Sequence, residues 1–168
     1  MEGAANKTMK SPFKIVQFGE ESCKSNHSYG PAIRNHWLLH FVRSGKGHFD
    51  NKRACYELSG GSMFIIRPGE VTYYEADSDD PWHYEWIGFE MSCPVPDVLD
   101  RDIVSSPCLA EIFTSVKKAF TLSSASALSY LSGQLICLVA LLSDEEEKKL
   151  TAAMRGQTLG GKSGKNNC

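Results

Sequence analysis

Residues 60–89 read GGSMFIIRPGEVTYYEADSDDPWHYEWIGF, and the rest of the chain is arranged about them. Ser62 to Ile66 is a short run of β-formers. Arg67-Pro68-Gly69-Glu70 is turn chemistry, with Pro setting φ at one central position and Gly accepting a positive φ at the next. Val71 to Ala76 returns as a strand, so the segment predicts a β-hairpin. Asp77 to Pro81 is a polar loop, and Trp82 to Met91 is a third strand in which Trp82, Tyr84 and Trp86 recur at period two and share one face. Two readings of that face stand side by side. The rings are core, since aromatics bury much apolar area, or they are the wall of a pocket, since Tyr and Trp join a flat apolar surface to a polar group.

Upstream, residues 1–12 are small and polar and predict a mobile arm. Phe13 to Phe18 alternates as a first strand, and Glu20 to Pro31, rich in Ser, Asn and Gly, predicts a loop. His36 to Arg43, HWLLHFVR, is apolar on both faces, the pattern of a strand covered on both sides. Gly-rich turns then separate short strands at His48 to Asp50 and Ala54 to Leu58. Strands at this spacing predict an antiparallel barrel or sandwich.

Downstream, Cys93-Pro94-Val95-Pro96 ends the sheet pattern, because proline lacks the N–H that a ladder needs. The barrel is therefore expected over 13–93 and a helical segment over 94–150. The first helix starts at Ser106-Pro107 and places Leu109, Ile112, Phe113, Val116 and Phe120 on one side. The second runs from the serine-rich stretch 123–126 to about Lys149. Its Leu128, Leu131, Leu135, Leu138 and Leu142 step by three and four, the a/d spacing of a helix seam. Such a row packs on its own sheet or meets a copy of itself, and the breadth added by Ile136, Val139 and Leu141 favours a dimer. Residues 151–168 carry linker composition, glycine-rich from Gly156, and predict a disordered tail.

The totals bound the function. The chain has 168 residues, enough for one domain with a real core, and its net charge of -2 offers no clustered basic surface for phosphates. Six scattered cysteines without a C-x-x-C pair predict free thiols in a reducing, cytoplasmic setting. No signal peptide is expected, and no uninterrupted apolar run long enough for a membrane span. His27, His36, His40, His48 and His83 form no H-x-H pair, and Thr72 stands where a metal-binding barrel would want a histidine, so neither a metal nor another cofactor is expected. No nucleophile elbow, P-loop or dinucleotide fingerprint is present, and catalysis is not expected.

The segments Arg43-Ser44-Gly45-Lys46-Gly47, Gly61 to Glu70 and Trp82 to Phe89, in this order and spacing, resemble the N-terminal regulatory domain of AraC-family (AraC/XylS) bacterial transcription regulators. The resemblance is strong over 34–91 and extends to about 150 by pattern. It implies a cupin-like (jelly-roll) antiparallel β-barrel that binds a small polar effector, often a sugar, followed by two α-helices that form a homodimer. DNA would be bound through a helix-turn-helix domain outside this sequence. The family's sugar sensor uses an aromatic after the Pro-Gly turn and two positions of the aromatic strand, one a tryptophan that stacks on the sugar. Tyr74, Tyr84 and Trp86 stand at those places, Tyr84 replacing a histidine. No arginine contact carries over onto Arg34, and Trp37 and Trp82 are expected to pack. The competing class is a small cupin enzyme, such as a sugar isomerase or dioxygenase, which needs the histidine cluster lacking here. A third is a dimerisation module with a filled barrel, which a pocket of roughly 300 Å3 would exclude.

Overall fold

The computed structural model describes residues 11–160. Strands β1 (Phe13–Ser22), β2 (Ser28–Ile33), β3 (Trp37–Ser44), β4 (Lys46–Asp50), β5 (Cys55–Ser59), β6 (Ser62–Ile66), β7 (Val71–Ala76), β8 (His83–Met91) and β9 (Ile103–Ser105) precede helices α1 (Cys108–Ala119) and α2 (Ser124–Gly160). The strands build two facing sheets, ordered β1-β8-β3-β6-β9 and β2-β7-β4-β5, whose strands pair antiparallel. This is the expected cupin-like barrel with two C-terminal helices.

Two cores hold it, and β3 divides them. On one face of β3, Leu38 and Val42 join Phe49, Phe64, Tyr74, Trp82 and Tyr84 between the sheets. On the other, Leu39 and Phe41 join Met63, Ile65, Ile87 and Phe89 beneath the helices. Trp37 through Val42 are all buried, which is why this strand shows no polar face in the sequence. Trp82 is fully buried and Trp37 nearly so, both as packing residues.

Several expectations change. The hairpin does not form: β6 pairs with β3 and β9 in one sheet and β7 with β2 and β4 in the other, so the turn carries the chain between sheets. The turn chemistry itself is as read, with Gly69 at φ +80 and the Glu70 N–H donating to the Arg67 carbonyl at 3.3 Å. Ser28 to Pro31, within the stretch expected as loop, belong to strand β2, whose ladder slips between Tyr29 and Ala32, around Gly30-Pro31. The barrel does not close at residue 93 either. Ile103–Ser105 returns from the helical segment to pair with β6, because β6 would otherwise leave its backbone groups on a bare edge.

Around the helices, the Ser106 hydroxyl accepts the Cys108 N–H at 3.2 Å at the start of α1. Leu109, Ile112, Phe113 and Val116 are buried as expected, whereas Phe120 is 55% exposed at the helix end and Ala119 takes the inward place. The leucine row of α2 needs correction as a dimer seam. Leu131, Leu135, Leu138 and Leu142 are buried within this chain, in the core under the five-stranded sheet, and only Leu128 is exposed, at 41%. Sheet and α1 present enough apolar surface to cover the row without a second copy. By length and composition alone α2 also passes as a candidate membrane span within Ser124–Arg155, and about a third of its most apolar stretch is buried inside the protein. The helix continues through Gly160, so residues 151–160 are not a disordered tail; 161–168 and residues 1–10 of the arm expected over 1–12 lie outside the described residues.

Candidate functional site

A pocket of about 250 Å3 opens between the sheets, slightly below the roughly 300 Å3 usual for a small-molecule site. Its walls come from separate elements. Tyr84 and Trp86 project inward from alternate positions of β8, Tyr74 comes from β7, and Leu38 and His40 come from β3. The three rings expected together are together: Tyr74 and Tyr84 have centroids 6.1 Å apart, edge to face, and Tyr84 and Trp86 5.7 Å apart. Trp86 packs against the β1 backbone at Gly19, where a Cβ would sit 2.2 Å from the indole Cζ2, so only glycine leaves this ring its place.

The mouth is polar. Arg34 stacks its guanidinium over the Tyr29 ring at 4.4 Å, and Tyr29 in turn stacks on Tyr74 at 5.7 Å. Gln17, Glu21 and His27 complete the rim, with the Tyr84 hydroxyl donating to Glu21 Oε2 at 3.5 Å. Burial lifts the Tyr74 hydroxyl above its ordinary range, and lifts Tyr84 much further, with Tyr74, Cys23 and Glu21 adding to the effect. Both phenols therefore stay protonated and offer O–H groups.

Arg34, Tyr29 and His40 were not found as site residues by sequence reasoning. Arg34 and Tyr29 lie in or beside the segment read as loop. His40 had one signal: it is the polar member of an otherwise apolar run, two residues from Leu38 and hence on the same inner face.

Among the described residues, donor atoms of one metal-type group, Glu21, Cys23 and His27, lie within 4.8 Å of one another at the rim. Counting histidine pairs misses it because the three residues come from a strand end and the following turn. Burial, with Glu21 nearby, pushes the Cys23 thiol up to about 11, away from the thiolate that coordinates metals. A wider hollow of about 500 Å3 at Ile33, Arg34, Asn35, His36 and Gly69 is shallow and lacks the ring cluster.

Comparison with known proteins agrees with this architecture. The chain is 33% identical over 106 residues to the raffinose operon transcriptional regulatory protein RafR of Pediococcus pentosaceus, covering 62% of this chain and 38% of that protein. It is 36% identical over 78 residues to the Msm operon regulatory protein of Streptococcus mutans serotype c, covering 46% of this chain and 28% of that protein. The matched part is thus well under half the length of either relative. Among solved structures, an apo form of ToxT from Vibrio cholerae superposes with a TM-score of 0.54 at 9% identity, over 83% of this chain and 57% of that one, a likeness of fold. The family model described as AraC-like ligand binding domain matches residues 14–153, and the chain, with a ring-lined pocket inside its barrel, belongs to that family.

Proposed function

We propose that this domain is the effector-sensing part of a transcription regulator and that its barrel binds a neutral sugar or sugar-like polyol against Trp86. The observation that carries the reading is the convergence of Tyr74, Tyr84 and Trp86 on one pocket, apolar faces beside protonated hydroxyls, which suits a molecule with a C–H face and an O–H rim. The raffinose operon named for one relative supports the class of ligand. A volume of about 250 Å3 suits a single sugar ring better than an oligosaccharide. No catalytic role is assigned to the domain, and DNA is contacted by another part of a longer, cytoplasmic protein.

Self-association belongs to the same reading, but through a different surface from the leucine row. On α2, Leu128, Ile136 and Leu150 remain 41%, 45% and 62% exposed and by helical spacing share one side, the apolar surface offered to a second copy.

The test is calorimetric or thermal-shift titration with raffinose and with galactose, glucose and fructose. Binding at a hundredfold excess over Kd stabilises the fold by about 2.7 kcal/mol. Trp86→Ala should keep the fold and lose the shift; a variant that binds as wild type removes the stacking role.

A further inference from the structure

We propose that His40 is a specificity residue of the pocket, a neutral imidazole on its inner wall that exchanges hydrogen bonds with a hydroxyl of the effector. The inference rests on the pocket being the effector site, and it adds the polar group that selects what enters.

His40 is 2% exposed, in the middle of β3, and its Nδ1 has no hydrogen-bond partner in the protein. A buried polar atom left unpaired costs stability, and interiors rarely keep one without a use. Its surroundings give it no other occupation. The ring stacks on Phe64 with centroids 4.6 Å apart, and its remaining ring neighbours are the three pocket aromatics: Tyr74 and Tyr84 at 5.0 Å each and Trp86 at 6.2 Å. A ligand seated among those rings is therefore next to this imidazole. For packing alone a leucine of similar volume would serve between Leu38 and Val42 without an unpaired nitrogen.

The chemistry of the group sets the ligand class. Burial, and after it the charge of Arg34, lowers the His40 pKa to about 3, so the ring is neutral across the physiological range, one nitrogen a donor and the other an acceptor. A hydroxyl matches either nitrogen because it both donates and accepts. A carboxylate only accepts, an ammonium only donates, and a neutral ring compensates neither charge at this depth. Arg34 and Glu21 carry the charges of the lining at its rim. The inner wall therefore favours uncharged, hydroxylated ligands.

The experiment compares wild type, His40→Leu and His40→Asn in two readouts, the unfolding midpoint without ligand and affinity for galactose, glucose, fructose and raffinose. His40→Leu should unfold at the wild-type temperature or higher, because an unpaired polar atom is removed, while its affinity falls roughly ten- to hundredfold. His40→Asn, whose amide reaches the region of Nδ1, should keep affinity within about tenfold of wild type. Equal affinity in wild type and His40→Leu overturns the inference and leaves the pocket assignment standing. A fall in the His40→Leu midpoint that accompanies lost binding overturns it too, showing a packing role. Wild type that binds none of the four sugars removes the sugar-site reading itself, and this inference with it.

Discussion

Arg43 Nε donates to Glu85 Oε2 at 2.7 Å, and the same guanidinium reaches the Ala110 carbonyl and the Thr114 hydroxyl of α1, each at 3.1 Å. Glu85 is fully buried and stands between Tyr84 and Trp86, so the strand that turns two rings into the pocket turns the anchor of α1 to its opposite face. Burial lifts the Glu85 carboxyl above its ordinary range against the pull of Arg43. Removing Arg43 leaves that carboxyl without its cation, and Arg43→Ala should cost about 3 kcal/mol or more in urea unfolding. Adding Glu85→Gln to Arg43→Ala should recover part of the loss; a double variant as unstable as the sum of the singles argues against the pairing.

Asp102 ties the start of β9 to the opposite sheet. Its carboxylate accepts from Arg67 Nη1, Arg53 Nη2 and the Tyr56 hydroxyl, each at 2.7 Å. Burial alone would raise its pKa, but hydrogen bonds from Arg67, Tyr56 and Asn51, with the charge of Arg53, outweigh it and hold the carboxyl down at about 2. A folded-state pKa below the ordinary 3.8 means stabilisation that is complete above about pH 4 and lost as pH falls toward 2. The contribution is on the order of 2 kcal/mol. The denaturation midpoint of wild type should therefore fall more steeply between pH 4 and 2 than that of Asp102→Asn; parallel profiles would count against the network.

In α2, Leu135 and Leu128 should behave oppositely. Leu135 is 1% exposed in the sheet–helix core, and Leu135→Ala should cost about 2–5 kcal/mol. Leu128→Lys, at an exposed position, should change monomer stability by no more than about 0.5 kcal/mol. Combined with Ile136→Lys, it should shift sedimentation from dimer to monomer. A wild type that sediments as a monomer at all concentrations removes the dimer.

Gly19 controls the depth of the pocket. An added methyl must displace the Trp86 ring, and Gly19→Ala should cost about 1–3 kcal/mol. Because the ring forms a wall of the cavity, sugar affinity should fall as well. Unchanged affinity together with an unchanged tryptophan emission maximum would show that the indole does not move.

What was legible in the sequence was periodicity. The two-faced run HWLLHFVR predicted a strand covered on both sides, and alternation along β8 put Tyr84 and Trp86 together. What was not legible was the identity of partners. Turn chemistry at Arg67 to Glu70 describes four residues and does not say which sheet each flanking strand joins, so a local rule gave a hairpin where the chain crosses the barrel. The leucine spacing of α2 likewise says that one side is apolar, not what lies against it. Arg34 and His40 reach the pocket from elements whose meeting depends on the whole topology, and β2 was hidden because Gly30 and Pro31 interrupt the pattern by which a strand is recognised.

The return of Ile103–Ser105 to the edge of β6 limits where the gene can be cut. A fragment stopped at Cys93, the boundary that the prolines suggest, would lose β9 along with both helices. It would bare the outer backbone of Ser62 to Phe64 and the apolar underside of the five-stranded sheet. An open strand edge beside an uncovered hydrophobic face is a template for stacking chain upon chain, and that shorter piece should accumulate in inclusion bodies. A fragment that keeps α1 and α2 retains the seal.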